Sequence, residues 1–252
     1  MSNYSTVFVD TVELLYPCLQ DISPVGKPTP EELAIDMEGV RLSREGRVAT
    51  LQIIASKSAI VWVIDITKLG QLAFDYTTPF NQSLRAVLQN AESRKLFFDV
   101  RNDSDALYSH YGIILQNVYD VQLLDVASKR SRGVKIHSLL GLGKCIEDNF
   151  TDTEEWVETK KAGSELFNPK LGGSYEVFEK RPINPIILRY CSQDVALLFD
   201  LKKTLLKKLG NVGGKPSSWK RRIVKGSEKR LSKSLQADYK PHEKKKAMAE
   251  YF

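Results

Sequence analysis

Cysteine and histidine are too sparse in this sequence to build a site together. Cys18, Cys145 and Cys191 lie far apart, are odd in number and form no Cys-x-x-Cys pair. A disulfide framework is therefore not expected, and a reducing intracellular setting, cytoplasmic or nuclear, is. The three histidines are as scattered, which argues against a zinc site of Cys and His. No apolar run reaches the roughly 20 residues that a transmembrane helix needs, so no membrane partner is expected.

Charge is present in plenty but unevenly placed. Residues 211–252 hold 12 Lys/Arg and 4 Asp/Glu, a balance of +8, whereas residues 1–210 hold 25 and 27, a balance of −2. A basic tail on a nearly neutral body suits a phosphate-rich partner, because neutralising phosphates releases counterions. A merely solvated, disordered tail explains the charge as well. Trp219, among Lys220, Arg221 and Arg222, is a candidate stacking surface for a base or else a packed tryptophan. Lys244–Lys246 equally suits a nuclear-import signal.

With 252 residues, 42% of them hydrophobic, the chain can bury one full core. Hydrophobic patterning divides it into a polar lead-in over 1–29, a domain over 30–210 and the tail over 211–252. Within the domain, Glu32–Glu38, Arg47–Ala55 and Ala59–Ile66 read as a three-stranded meander. The spacing predicts a helix over Thr78–Glu92, a buried strand over Lys95–Val100 and a helix over Asp103–Tyr111 stopped by Gly112. Val118–Ala127 fits strand or helix, and His137–Asp148 fits a helix. Residues 149–180 read as a loop or weak helical excursion. Asn184 and Pro185 open the strongest helix as N-cap and first residue, and its pattern runs through Leu206. The class is α/β, with a mixed sheet antiparallel at first and parallel later.

Carboxylates recur at telling places. Asp36 and Glu38 are two residues apart on a strand, so they share a face, opposite Leu33, Ile35 and Met37. Neighbouring carboxylates about 4 Å apart repel by roughly 1–4 kcal/mol unless a cation intervenes or one keeps its proton. Tyr190 and Asp194 are four apart on a helix and likewise share a face. Between them, Asp99, Asp103 and Asp105 straddle a strand exit and a helix start, where an acid often does no more than cap. Each segment alone reads as an ordinary strand, cap or amphipathic helix.

Together, in this order, they resemble the DEDD exonuclease superfamily, specifically its ribonuclease D-like branch with a tyrosine in the last motif. Asp36-Met37-Glu38 matches the first motif and Thr50–Ile53 the strand after it. Asp103, nine residues before Gly112 with Leu107 one turn on, matches the middle motif. Asp120 begins a segment resembling the family's Asp-x-Gln-Leu-Leu. Tyr190 and Asp194 match the last motif, with Arg181-Pro182 upstream. Asp105 rivals Asp103, but two residues are about 200° of helix, so only one of them faces the site. Phe98 is a departure, standing near where members carry histidine or a small polar group.

The resemblance, over residues 30–206, implies a ribonuclease H-like mixed sheet flanked by helices. It implies 3′-5′ exonuclease activity on RNA or single-stranded DNA with two divalent ions, Mg²⁺ or Mn²⁺. Asp36, Glu38, Asp103 and Asp194 would hold the ions, and Tyr190 would orient the water. The alternative is a catalytically silent nucleic-acid-binding adaptor on the same fold.

Overall fold

The computed structural model of the protein describes residues 4–23 and 31–249; residues 1–3, 24–30 and 250–252 lie outside them. A six-stranded sheet runs through the molecule in the order β1-β4-β3-β2-β5-β6. The strands are β1 (Ser5–Val9), β2 (Leu33–Val40), β3 (Arg47–Ala55), β4 (Ile60–Asp65), β5 (Lys95–Phe97) and β6 (Val118–Asp120). β2, β3 and β4 form the antiparallel meander that the sequence patterning indicates. β5 and β6 continue in parallel from β2. The α/β class and the mixed, helix-flanked sheet are thus as expected.

The helices in chain order are α1 (Val12–Ile22), α2 (Ile66–Leu69), α3 (Leu72–Asp75), α4 (Leu84–Gln89), α5 (Arg101–Tyr111) and α6 (Val121–Arg130). They continue with α7 (Leu142–Glu147), α8 (Glu154–Phe167), α9 (Pro185–Ala196), α10 (Leu198–Lys207) and α11 (Pro216–Ser234). Among the described residues, no helix is long and apolar enough to cross a membrane.

The sheet has a buried layer on each face. Leu33, Ile35 and Met37 pack with α1, α3, α4 and α5 residues on one side. Ala34, Leu96 and Tyr119 pack with α6, α10 and α11 on the other. Asp36 and Glu38 follow Ala34 along the same face, so they meet helix rather than open solvent. A β-bulge separates Glu38 from Gly39. A side chain at Gly39 would place its Cβ 2.0 Å from the Arg47 carbonyl oxygen, so only glycine lets β3 approach there.

Several elements differ from the sequence reading, each for a local reason. The expected helix over Thr78–Glu92 shrinks to α4. Asn81 takes φ 56°, and the Ser83 hydroxyl accepts from the Ala86 N–H to start the helix only there. The strand expected to Val100 ends at Phe97, because Asp99 adopts φ 67° and turns the chain into α5. Val118–Ala127 is strand and helix in turn. Its joint is Asp120, which accepts from the Gln122 N–H as the cap of α6. The helix expected over His137–Asp148 is only α7, since residues 137 and 139 pair with 249 and 247 in extended form. The long helix after Asn184 divides at Leu197, which closes α9 and opens α10. Of the loop or weak helical excursion read over 149–180, residues 154–167 form a full 14-residue helix, α8.

The two chain ends hold the largest surprises. In the lead-in, β1 pairs in parallel with β4 and α1 covers the sheet. The first part of the basic tail is α11, packed on the body, so free solvation does not describe residues 216–234. Trp219, Ile223 and Ser227 recur every four residues on its buried face. The Trp219 indole N–H donates to the Val212 carbonyl, and the Arg222 guanidinium covers its ring. Trp219 is therefore a packed residue and no platform for a base. Lys246 is also taken into the fold, donating to the Tyr239 hydroxyl and the Pro241 carbonyl.

Arg230, 1% exposed, ties α11 to β6. Its Nη1 donates to Asp120 Oδ2 at 2.7 Å and to Gln122 Oε1 at 2.9 Å. Asp120 in turn accepts from the Asp99 and Val100 N–H groups, fixing the turn that opens α5. Removing one partner of a buried pair strands the other charge. Arg230→Met should therefore destabilise the protein by about 3–5 kcal/mol, measured by urea unfolding. A loss within about 0.5 kcal/mol, as expected of a surface position, would show that α11 is not pinned this way.

Candidate active site

Three separate segments deliver side chains to one place. β2 presents Asp36 and Glu38 on the face beneath α9, and α9 presents Tyr190 and Asp194 one turn apart. One carboxylate oxygen each from Asp36, Glu38 and Asp194 lies within 4.8 Å of the others. Asp103, from the first turn of α5, is buried with its Oδ1 lacking a hydrogen-bond partner. It stands outside that tight group, but its charge is felt at both Asp36 and Glu38. Asp105 points elsewhere. Its Oδ1 accepts from Arg44 Nε at 2.6 Å and its Oδ2 from the Arg44 backbone N–H at 2.8 Å. Of the two rivals, Asp103 is the one whose charge reaches Asp36 and Glu38, while Asp105 is engaged by Arg44.

Crowding and burial set the electrostatics. Desolvation, then the charges of Asp194, Glu38 and Asp103, hold the Asp36 carboxyl well above the ordinary range. Burial and Asp194 push Glu38 up to about 8. Burial pushes Asp103 up to about 7. Desolvation and the neighbouring carboxylates raise the Tyr190 phenol far above its usual value, so it keeps its proton at neutral pH. Crowded carboxylates with raised proton affinity are eased by a cation placed among them.

The polar stretch before α9 supplies a group that the sequence reading passed over. Lys160, on α8, places its ammonium against Asp194 Oδ2 and 3.4 Å from the centre of the Tyr190 ring. Burial raises the Asp194 carboxyl, and Lys160 pulls it back down. Lys160 reaches this position because α8 lies tight on α9. A Cβ at Gly163 would fall 2.4 Å from the Tyr190 ring. Gln193 Nε2 donates to the Trp156 carbonyl, closing the same contact. The recurrence of Trp156, Lys160, Gly163 and Phe167 at helical spacing was the available signal. A second anchor precedes α9, where the Arg181 guanidinium forks onto Asp65 at the end of β4.

The donor set suits a hard divalent cation. All its atoms are oxygens, and the Oδ1 atoms of both Asp103 and Asp194 are buried without a partner. Phe98, the departure from the family pattern, is a half-buried hydrophobe packed with the α6 and α9–α11 layer.

A family model described as 3′-5′ exonuclease matches residues 18–210. Among curated proteins, the chain is similar to the piRNA biogenesis protein EXD1 of Homo sapiens, 26% identical over 181 residues, which are 70% of this chain and 32% of that protein. It is also similar to EXD1 of Xenopus laevis, 27% identical over 207 residues, 79% of this chain and 44% of that one. The chain thus spans a third to under half of these relatives. Among solved structures, Trypanosoma brucei RNase D in complex with RNA U12 superposes with TM-score 0.73 at 19% identity, covering 99% of this chain and 77% of that one. Escherichia coli RNase D gives TM-score 0.61 at 16% identity, covering 93% and 51%. Brucella melitensis NrnC with bound Mg²⁺ gives 0.56 at 20% identity, covering 96% and 99%.

The raised carboxyl of Glu38 has a consequence for stability. A carboxyl that binds its proton more tightly folded than unfolded is neutral to stability below its unfolded pKa of about 4.3. It becomes increasingly unfavourable as pH rises toward the folded value of about 8. With chelator present, Glu38→Gln should therefore melt progressively higher than wild type between pH 5 and pH 8. Each kcal/mol relieved should appear as about 2–4 °C. A difference in melting temperature that does not change with pH would contradict this electrostatic account.

Proposed function

The chain belongs to the 3′-5′ exonuclease domain family, and from that premise we propose that it hydrolyses phosphodiester bonds at the 3′ end of RNA. The observation that carries the reading is the convergence of Asp36, Glu38 and Asp194 within 4.8 Å, with Asp103 and Tyr190 bordering them. In this reading Asp36, Glu38 and Asp194 would hold one divalent ion and Asp36 mainly a second, with Asp103 completing the site and Mg²⁺ or Mn²⁺ as the ions. Such ions supply charge neutralisation at the phosphate and a more acidic water.

The chain's own residues do the rest. Tyr190, kept protonated, hydrogen-bonds and orients the attacking water rather than taking its proton. The α8–α9 contact at Gly163 fixes the ring in place. RNA is favoured as the strand because the matched relatives are named for piRNA biogenesis and an RNase D of the same fold was solved with RNA. A second reading, an RNA-binding adaptor without catalysis, is favoured by one observation. Lys160 already places a positive charge on Asp194.

A 5′-labelled single-stranded RNA and its DNA equivalent, incubated with Mg²⁺, Mn²⁺ or EDTA, separate the two. The exonuclease gives a metal-dependent ladder that shortens from the 3′ end, with RNA cut faster than DNA. Asp36→Asn and Asp194→Asn should each slow it by at least about 10²–10³-fold while RNA binding persists. Tight binding without cleavage under any metal would establish the adaptor instead.

Asp103→Asn and Asp105→Asn offer a sharper comparison. The first should reduce hydrolysis strongly with little change in melting temperature. The second should spare catalysis and lower the melting temperature, because it weakens the buried pair with Arg44. The opposite ranking would put the wrong aspartate in the site.

A further inference from the structure

The basic residues of the C-terminal region divide into two groups once their contacts are known. Arg222 donates to the Gly213 carbonyl and covers Trp219, and Arg230 is buried on Asp120. Those two, like Lys246, hold the fold. Lys220, Arg221 and Lys225 are exposed and form no ion pair among the described residues. Arg221 and Lys225 are one turn apart, with Lys220 and Val224 one turn apart beside them, so all four share a face of α11.

That face borders a groove of about 500 Å³ between α10 and α11. Its floor is apolar, made by Leu206, Val224 and the buried Tyr119 ring. Lys202 and Arg94 stand over that ring at 5.5 and 5.6 Å from its centre. Glu32 touches both and neutralises part of their charge. With Lys220, Arg221 and Lys225, five cations line the groove, against one acid, Glu228. Arg94 just precedes β5, the neighbour of β2, and Tyr119 lies in β6, one strand further across; β2 meets β5 at Leu33 and Ala34, its end away from Glu38.

We propose that this groove is a second docking site for single-stranded RNA, separate from the carboxylates, which grips the body of the strand whose 3′ end is cut. The proposal rests on the function above for its ligand. The charge calls for a polyanion, and the apolar floor between cations suits a strand that offers both bare bases and phosphates. A duplex offers its phosphates but keeps its bases stacked inside.

The test is the triple variant Lys220→Glu, Arg221→Glu, Lys225→Glu, made in the 252-residue Asp36→Asn chain so that RNA survives the measurement. All three positions are exposed, so the melting temperature should match that of Asp36→Asn alone. A Gln triple variant serves if it does not. A labelled 20-nucleotide RNA should bind at least about tenfold more weakly near 0.1 M salt. The slope of log K against log salt should become shallower by about 2, from roughly 0.7 per phosphate contact on a single strand. The ratio of affinity for the 20-mer to that for a trinucleotide should fall at least fivefold, by the same order-of-magnitude reasoning.

Unchanged affinity and unchanged slope would overturn the proposal. So would an unaltered RNA affinity combined with lost binding of poly-glutamate, which would assign the groove to acidic protein segments. Absence of cleavage by the wild type would sink the nuclease reading and leave this binding result intact, so the two failures are distinguishable.

Discussion

Mutual repulsion among crowded carboxylates, Asp36 and Glu38 half-buried and Asp103 and Asp194 buried, is the constraint around which this molecule is arranged. Asp36, Glu38 and Asp194 bring three oxygens within 4.8 Å of one another, and Asp103 adds a fourth acid at the border. Two unit charges about 4 Å apart repel by roughly 4 kcal/mol at an effective dielectric near 20. A fold maintains such a cluster only where the rest of the chain holds the side chains in position and something positive offsets the charge. Lys160 provides part of that offset from within the chain. Burial first, and then the neighbouring carboxylates, keep the Asp36 and Glu38 carboxyls raised even with Lys160 beside them.

The holding is done at a distance from the carboxylates. Arg230 grips Asp120, Asp120 caps α6 and receives the N–H groups at the β5–α5 turn, and that turn sets where Asp103 begins its helix. Arg181 grips Asp65 and so ties the loop before α9 to the end of β4. Gly163 lets α8 close on the Tyr190 ring. Each device uses a buried charge pair or a missing side chain, features that are costly unless the surrounding geometry is right. Their positions around the three segments that carry Asp36, Asp103 and Asp194 match the precision that a site of several ligands requires.

Much of this was legible in the sequence because it rests on periodicity. Strand alternation placed Asp36 and Glu38 on one face, and helical spacing did the same for Tyr190 and Asp194. The choice of Asp103 over Asp105 followed from the distance to Gly112, and the Arg44–Asp105 pair agrees with it. What stayed hidden depends on contacts between remote residues. β1 reads only as a short β-branched and aromatic run, Thr6–Val9, and becomes a strand because β4 offers it an edge. α8 is polar along much of its length, so its helical signal is weak until Trp156 and Gly163 are seen against α9. The division of α9 from α10 at Leu197 leaves no mark of proline or glycine at all.

The C-terminal region shows why composition alone misleads. A +8 balance over 42 residues reads the same whether the cations grip a partner, float in solvent or staple a helix to the body. The structure separates these roles by burial. Arg230 is 1% exposed and belongs to the core, whereas Lys220, Arg221 and Lys225 face outward around an apolar groove. Removing the whole region would take Trp219 and Ile223 out of the core and expose the buried residues they cover, so a lost function after truncation would report unfolding as readily as lost binding. The charge on this protein is therefore tested one face at a time, by substitutions that alter the electrostatic field while leaving the packing of α11 in place.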